Sequence, residues 1–380
     1  DVCQPNFEIL AKYFSCVTKT FSFIIRLINR NIRIIENLKK QHTKIGAFIS
    51  KSLHCADSYF LILKRKTVTL LNWMFLIRNF PRGYKPDQVF FLWLEGFILP
   101  PKVISRVLDI VFNYPWSGLL GNLPSADIQK FISKTYTKHS KNTRFIALLN
   151  ENAHKDVASV FGESRTVIFP DVASTSIVDQ PSIIVKEINE FSRGRKIIAL
   201  IGSLEKRKGI LPFLEAITNI NDANLCFVLA GSLSQATFTQ DELSYLENIQ
   251  EKYYSSIFMK IGNISSEEEF NLIINSVDIL YLAYENFAES SNLLTKAAFF
   301  NKPVIVKGDY LMGERVRKFH LGECIDTVDG ISLHETIRQI IRKDNKGLYN
   351  CGFAKYSQHH SINELKMKFL LNKISKILAK

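Results

Sequence analysis

The chain has 380 residues, of which 46% are apolar and 22% charged, and it carries a net charge of +13. That length exceeds one average domain and suits two, and the composition is that of an ordinary globular protein with enough apolar residues for sizeable cores. Six cysteines (Cys3, Cys16, Cys55, Cys226, Cys324, Cys351) are scattered without CxxC or metal-ligand spacing, which argues against a zinc or disulfide framework and for reduced cytosolic thiols.

The charge is unevenly placed. Residues 1–85 hold 15 Lys/Arg against 4 Asp/Glu, while the other 295 hold 34 against 32. Basicity this local implies an anionic neighbour for the N-terminal part, namely phospholipid headgroups, an anionic acceptor or nucleic acid; a merely soluble basic face is the equal alternative. Nucleic acid is the weakest of these partners, because no recognition motif accompanies the charge. No stretch qualifies as a membrane span: Tyr59–Phe80 is interrupted by Lys64, Arg65, Lys66 and Arg78. Phe21, Phe23, Ile24, Leu27 and Ile28, flanked by Arg26, Arg30 and Arg33, suit either a helix lying on a membrane surface or one facing a core. The expected location is cytoplasmic, with a peripheral position at the inner face of the membrane. The chain starts at Asp1, so a trimmed N-terminal segment is expected as an alternative to a complete one.

In chain order, residues 7–50 read as helical, and Lys66–Leu76 and Gln88–Trp93 as strands rich in Val, Leu, Phe and Trp. Val103–Phe112 reads as a helix, or as a helix followed by a strand. Asn113–Gly118 reads as loop, with Pro115 and Gly118 fixing turns and two aromatics at a cleft. A helix over Ser125–Lys138, a strand at Phe145–Leu149, a helix over His154–Phe161 and a strand at Thr166–Phe169 follow. Asp171–Pro181, polar and without periodicity, is the expected domain boundary, and Ile183–Phe191 a short amphipathic segment beyond it.

From Lys196 the alternation becomes regular. Strands are predicted at Ile197–Ile201, Leu225–Ala230, Ile257–Ile261, Ile279–Tyr284, Val304–Val306 and Glu323–Ile325, with helices near 210–218, 239–252, 266–275, 291–300, 312–319 and 331–342. Ser265 with Glu268, Ser266 with Glu269, and Ser361 with Glu364 are candidate capping boxes. A lysine-rich helix over Ile362–Leu378 closes the chain. Strands alternating with helices in this way predict α/β architecture with parallel sheets.

Two stretches carry chemistry. In Lys196–Ile210 a strand ends in Gly202-Ser203, and a cationic turn (Lys206, Arg207, Lys208) leads through Gly209 into a helix. Gly202 permits close approach of a ligand to the backbone, and Arg207 and Lys208 suit phosphate oxygens. The pattern is neither a Walker loop nor GxGxxG. In Asp278–Val306, Ser290, Ser291 and Asn292 stand at the start of a helix, where free N–H groups and the helix dipole favour an anion; ordinary N-capping is the plainer alternative. Two anion-suited turns at strand ends of one sheet argue for a shared crevice.

Gly202–Gly209 (GSLEKRKG) resembles the G-[RS]-L-x-x-[RE]-K-G segment of the GT-B-fold, group-1 (GT4-like) glycosyltransferases. Further matches follow in order: Leu229-Ala230-Gly231, Ile261–Ile264, Val277–Leu280, Tyr284, Ser290–Leu294, Ala297-Ala298, Asn301–Ile305, and Asp309-Tyr310 with Met312–Glu314. The resemblance covers 196–330 well and 88–170 thinly, through Trp116–Gly118, Leu123-Pro124 and Phe169–Asp171; over 1–85 there is none. It implies two Rossmann-like lobes with a cleft between them: an N-terminal acceptor lobe (1–175), a donor lobe (176–355), and a C-terminal helix (356–380) packing back on the first lobe.

The resemblance also implies transfer of a sugar from a nucleotide-diphosphate-sugar donor to a glycan or lipid-linked acceptor, with retention and with neither metal nor cofactor. By position, Lys208 matches the lysine on the donor diphosphate, and Arg207 its basic neighbour. Gly202 and Ser203 would lie at the diphosphate, and Gly231, Gly262, Asn263 and Ile264 would border the nucleobase. Ser290, Ser291, Asn292 and Leu293 would border the phosphates. The family's two glutamates, eight apart, fall on Ala288 and Lys296. Glu285 and Glu289 are the candidates to replace the first, reaching donor-sugar hydroxyls, and nothing replaces the second. Lys296 is read as surface charge, with phosphate contact as the alternative. His54 and His154 stand in no motif that would assign the N-lobe histidine of the family. The missing pair favours a rival expectation, a non-catalytic GT-B-like binding or scaffold protein whose basic lobe docks on a membrane or polyanion.

Overall fold

The computed structural model describes residues 69, 71–81, 83, 86–97, 108–121, 140–178 and 182–377. The chain divides into two compact units, Asp1–Leu71 and Asn72–Lys380. The first lies almost wholly outside the described residues, and so do the expected helices of residues 7–50, His54 and the expected helix Ser125–Lys138.

The second unit contains two parallel sheets. The smaller runs β1 (Val89–Phe91), β2 (Trp116–Leu120), β3 (Thr143–Leu148) and β4 (Thr166–Ile168) in that spatial order. Residues 71–79 are helical, where a strand was expected. The reason is spacing: Trp73, Leu76, Ile77 and Phe80 recur every three or four residues and pack as one face on Phe91, Phe112 and Trp116. The expected loop at Asn113–Gly118 also fails in part, because Trp116, Ser117 and Gly118 belong to β2 and Trp116 is fully buried. Gly118 serves packing there, since a Cβ would meet the Leu94 side chain at 2.9 Å. Of the expected Val103–Phe112 element, residues 108–111 are helical. Helix α1 (His154–Phe161) covers this sheet with Val157 and Phe161.

The larger sheet holds six strands: β5 (Lys196–Ile201), β6 (Leu225–Gly231), β7 (Ile257–Ile261), β8 (Ile279–Leu282), β9 (Val304–Lys307) and β10 (Gly322–Ile325). They are ordered β10-β9-β8-β5-β6-β7, every pairing parallel. β5, β6 and β8 are buried almost throughout, which is why they read as unbroken apolar runs rather than alternating ones. Helices α2 (Ile183–Ser192), α3 (Ile210–Thr218), α4 (Gln240–Lys252), α5 (Glu267–Ser276), α6 (Asn292–Phe299), α7 (Tyr310–Phe319) and α8 (Gly330–Asp344) connect and flank them. These are two Rossmann-like lobes, as expected.

The helix boundaries follow local chemistry. α4 starts in a full capping box of Thr239 with Glu242, which the sequence reading missed. Ser266 caps α5 by accepting from the Glu269 N–H at 3.1 Å, while the Glu269 carboxylate reaches the Ser265 N–H at 3.0 Å, one residue before the cap. α9 (Asn350–His359) was not foreseen: it packs on α6 and α7 through Phe353 and Tyr356. α10 (Ile362–Ile377) begins where the Ser361 hydroxyl accepts from the Glu364 N–H. Its Phe369 ring lies 5.0 Å from Phe90 and 4.8 Å from Phe169, so it contributes to the aromatic core of the first lobe. Among the described residues no helix is long and apolar enough to cross a membrane.

Candidate functional site

In the larger sheet the chain moves from β5 outward through β6 to β7, then returns across to β8, on the other side of β5. The topological switch point therefore lies between β5 and β8, and in open α/β sheets ligands bind outside the strand C-termini at that point. The turn after β5 carries Gly202–Gly209, and the turn after β8 carries Tyr284–Ser291. A backbone hydrogen bond joins them directly, Glu285 N–H donating to the Arg207 carbonyl at 2.7 Å.

Glycines shape this crevice where side chains would obstruct it. Gly202 has φ +105°, and a Cβ there would sit 3.3 Å from the Lys208 Nζ. Gly231 has φ +139°, and a Cβ would fall 1.9 Å from the Gly202 carbonyl oxygen, so the ends of β5 and β6 can approach only as glycines. The layer continues outward as Gly262 N–H donates to the Gly231 carbonyl at 3.0 Å. Asn263 is exposed beside it, its side-chain oxygen 3.4 Å from the Ser232 hydroxyl, while Ile264 packs half-buried on the core.

Lys208 is the central cation. It is buried, and its ammonium lies 5.7 Å from the centre of the Tyr284 ring. Burial, reinforced by the neighbouring charge of Arg207, lowers its pKa to about 8, with Glu205 opposing. Arg207 is half-exposed: its Nε donates to Glu205 at 2.6 Å, and its guanidinium stacks 5.1 Å from the Phe287 ring. Ser203 also donates to Glu205, at 2.9 Å. Burial raises the Glu205 pKa, but the Ser203 hydrogen bond and the cations Arg207 and Lys208 outweigh it and leave the group below its usual range. Lys206 turns away to an ion pair with Glu242 of α4 at 2.5 Å.

Across the crevice, Ser291 occupies the N-cap position of α6 without capping it by side chain. Burial raises the Tyr284 pKa to about 12, so this phenol keeps its proton. Asn292 opens the helix exposed, and the Leu293 side chain points into the core, leaving its backbone alone for the site. Glu285 lines a polar pocket of about 260 Å³ with Tyr284, Asn286, Lys307, Asp309 and Tyr310, and Glu289 is half-buried nearby in the chain.

Lys296 departs from both sequence expectations. It is neither surface charge nor turned to the phosphate crevice, being 1% exposed. Its ammonium donates to the Ser174 carbonyl at 2.7 Å, to Glu267 at 2.6 Å and to the Asn271 side chain, and it lies 5.5 Å from the Phe270 ring centre. Where the resembled family places a carboxylate toward the ligand, this chain has a cation that ties α6 to α5 and to the interlobe segment.

Ser290 is likewise engaged elsewhere. Its hydroxyl donates to the buried Asp171 carboxylate and accepts from Arg315 Nη1 at 2.5 Å. Arg315, on α7 and 3% exposed, also reaches Glu151 at 3.1 and 2.8 Å, the Leu149 carbonyl at 2.6 Å and the Tyr356 phenol at 3.4 Å. Burial pushes the Asp171 pKa up against the opposing pull of Ser290 and Arg315. His360, lowered by burial to about 3, is neutral and accepts the Asp171 N–H at Nδ1, at 2.9 Å. Two further contacts join the lobes: Asn150 donates to the Ala288 carbonyl at 3.1 Å, and Asn152 to Glu314 at 3.0 Å. His154 lies on α1 beside Glu163, 3.8 Å away. Sequence reading missed the Arg315 network entirely. Its one available signal was Asp171, a lone acidic residue after Phe169-Pro170.

A scan against protein-family models finds no match for the sequence, and neither does a search of curated proteins. Solved structures do match. HepE of Anabaena, in complex with UDP, superposes with a TM-score of 0.61 at 11% identity, over 82% of this chain and 81% of that one. The α,α-trehalose 6-phosphate synthase of Burkholderia multivorans gives 0.59 at 12% identity, over 82% and 76%. Sucrose-phosphate synthase of Thermosynechococcus elongatus gives 0.54 at 13%, over 80% and 76%. At such identities the likeness establishes the fold, the GT-B arrangement of two Rossmann-like lobes.

Proposed function

We propose that the protein is a glycosyltransferase that transfers a sugar from a nucleotide-diphosphate-sugar donor to a glycan or lipid-linked acceptor. The observation that carries this reading is the buried Lys208 at the switch-point crevice, joined through the Glu285–Arg207 backbone hydrogen bond to the turn that opens α6. Support comes also from the fold shared with HepE, which has been crystallised with UDP and with UDP-glucose.

In the proposed reaction the departing nucleoside diphosphate gains negative charge as the glycosidic bond to it breaks. Lys208 and Arg207 stand ready as fixed cations, and the N–H groups at the start of α6 add a positive dipole end; such preorganised groups stabilise a developing anion without reorganising during the reaction. We assign Gly202 and Ser203 to the diphosphate, Gly231 and Gly262–Ile264 to the nucleobase, and Ser291–Leu293 to the phosphates through their backbone. Glu285 and Glu289 are assigned to the donor sugar. We further propose retention of configuration, independence of metal, and a peripheral membrane position served by the basic N-terminal segment. The membrane assignment fails if co-sedimentation with vesicles at low salt is indifferent to their anionic lipid content.

The test is calorimetry with UDP-, GDP- and ADP-sugars. Binding of one of them, lost in the Arg207→Ala/Lys208→Ala double variant, is the expected result; an intact protein that binds none overturns the assignment. A second reading, a binding protein without turnover, is favoured by Lys296, whose amine is fully engaged where the resembled family has a carboxylate. Nucleotide binding without sugar transfer or donor hydrolysis would decide for it.

A further inference from the structure

Arg315 touches none of the groups assigned to the donor, yet it is among the most heavily hydrogen-bonded side chains described. Five acceptors surround it: both oxygens of Glu151, the Leu149 carbonyl, the Ser290 hydroxyl and the Tyr356 phenol, with the Asp171 carboxylate 3.9 Å away. These come from different parts of the protein. Leu149 and Glu151 follow β3 in the first lobe, and Asp171 lies on the segment between the lobes. Tyr356 belongs to α9, and Ser290 immediately precedes the N-cap of α6.

A buried guanidinium needs such a set of acceptors, because an unpaired charge in the interior gives up its hydration with nothing in return. The need makes the network cooperative. If the first lobe swings away, Glu151 and the Leu149 carbonyl leave together, and the guanidinium must find water or shift. The atom that moves with it is the Ser290 hydroxyl, which Asp171 also holds. The same segment is gripped twice more, by Asn150 on the Ala288 carbonyl and by the Asp171 carbonyl, which accepts from Thr295 of α6 at 2.8 Å.

We infer that Arg315 is a positioning residue for the proposed donor site, coupling the Ser290–Asn292 turn to the seating of the first lobe, so that diphosphate affinity depends on lobe closure. The inference rests on the donor-site reading given above. Arg315 acts through Ser290 and touches no ligand. Its fork is the reason lysine cannot replace it: only a planar guanidinium reaches Glu151, Leu149 and Ser290 at once.

The experiment is calorimetry on the full chain with UDP, GDP and ADP and their monophosphates, for the wild type, Arg315→Lys and Glu151→Gln, with a thermal melt of each. For whichever diphosphate the wild type binds, Arg315→Lys is expected to raise Kd about tenfold while the matching monophosphate changes less than about twofold. Glu151→Gln, half-exposed and so gentler on folding, is expected to move the same ratio about threefold. A role confined to stability lowers Tm and leaves the diphosphate-to-monophosphate ratio unchanged in both variants, and that outcome overturns the inference alone. A wild type that binds no nucleoside diphosphate overturns the donor-site reading and the inference with it.

Discussion

Burial of Lys208 makes donor binding pH-dependent in a window where little else at the site titrates. The group's pKa falls from an ordinary 10.5 to about 8, because the crevice desolvates the ammonium and Arg207 repels it. A bound diphosphate supplies the missing counter-charge and restores the protonated form. Between pH 7 and pH 9 the free protein goes from about 90% to about 10% protonated at Lys208, while the complex stays protonated. Affinity therefore falls roughly tenfold, or about 1.4 kcal/mol, over those two units. The diphosphate of a nucleotide sugar is substituted at both ends, so each of its phosphates keeps a single negative charge throughout this range.

Calorimetry in buffers of different ionisation enthalpy measures the same linkage directly. Proton uptake on binding is expected to be near 0.1 at pH 7, about 0.5 at pH 8 and about 0.9 at pH 9. Lys208→Met should bind weakly and without this slope. Affinity that is flat from pH 7 to pH 9, or a slope that survives in Lys208→Met, would refute the assignment of Lys208 to the anion. The unliganded protein obeys the opposite sign. A lysine depressed in the folded state costs stability while charged, so this cost is present below about pH 8 and is relieved as pH rises toward 10.5.

Four other outcomes follow from contacts elsewhere in the fold. Lys296→Met, which removes the donor to the Asn271 side-chain oxygen but leaves Glu267 half in water, should cost about 1–3 kcal/mol in denaturant unfolding and leave nucleotide affinity unchanged. Lys296→Glu should not restore a family-like site, because it sets a buried carboxylate beside Glu267, and insoluble protein or a loss of more than about 3 kcal/mol is expected; a soluble variant with increased turnover would contradict this. Gly231→Ala, with its Cβ 1.9 Å from the Gly202 carbonyl, should separate the ends of β5 and β6, costing upward of about 3 kcal/mol by thermal melt and abolishing nucleotide binding. Phe369→Ala empties one position of the Phe90–Phe145–Phe169 cluster, and a loss of about 2 kcal/mol with faster proteolytic release of the last helix is expected.

The sequence by itself determined what is local. A strand of β5 length ending in glycine, a run of three cations and a following helix are consecutive residues, and so are the buried apolar runs of β6 and β8 that only a parallel sheet covered on both faces accommodates. His154–Phe161 and Ile210–Thr218 were likewise legible to the residue, from their amphipathic period and flanking breakers. Tertiary structure decided where polar groups are satisfied. Ser290 read as a phosphate contact because it precedes a helix, but Asp171 and Arg315, distant in the chain, claim its hydroxyl. Lys296 read as surface charge because lysine is seldom buried, yet Ser174, Glu267 and Asn271 converge on it. Gly118 read as a turn and proved to be a strand residue making room for Leu94. In each case the deciding partner is remote in sequence, and the cost of leaving a buried polar group unpaired, or of filling an occupied space, is set by the assembled fold alone.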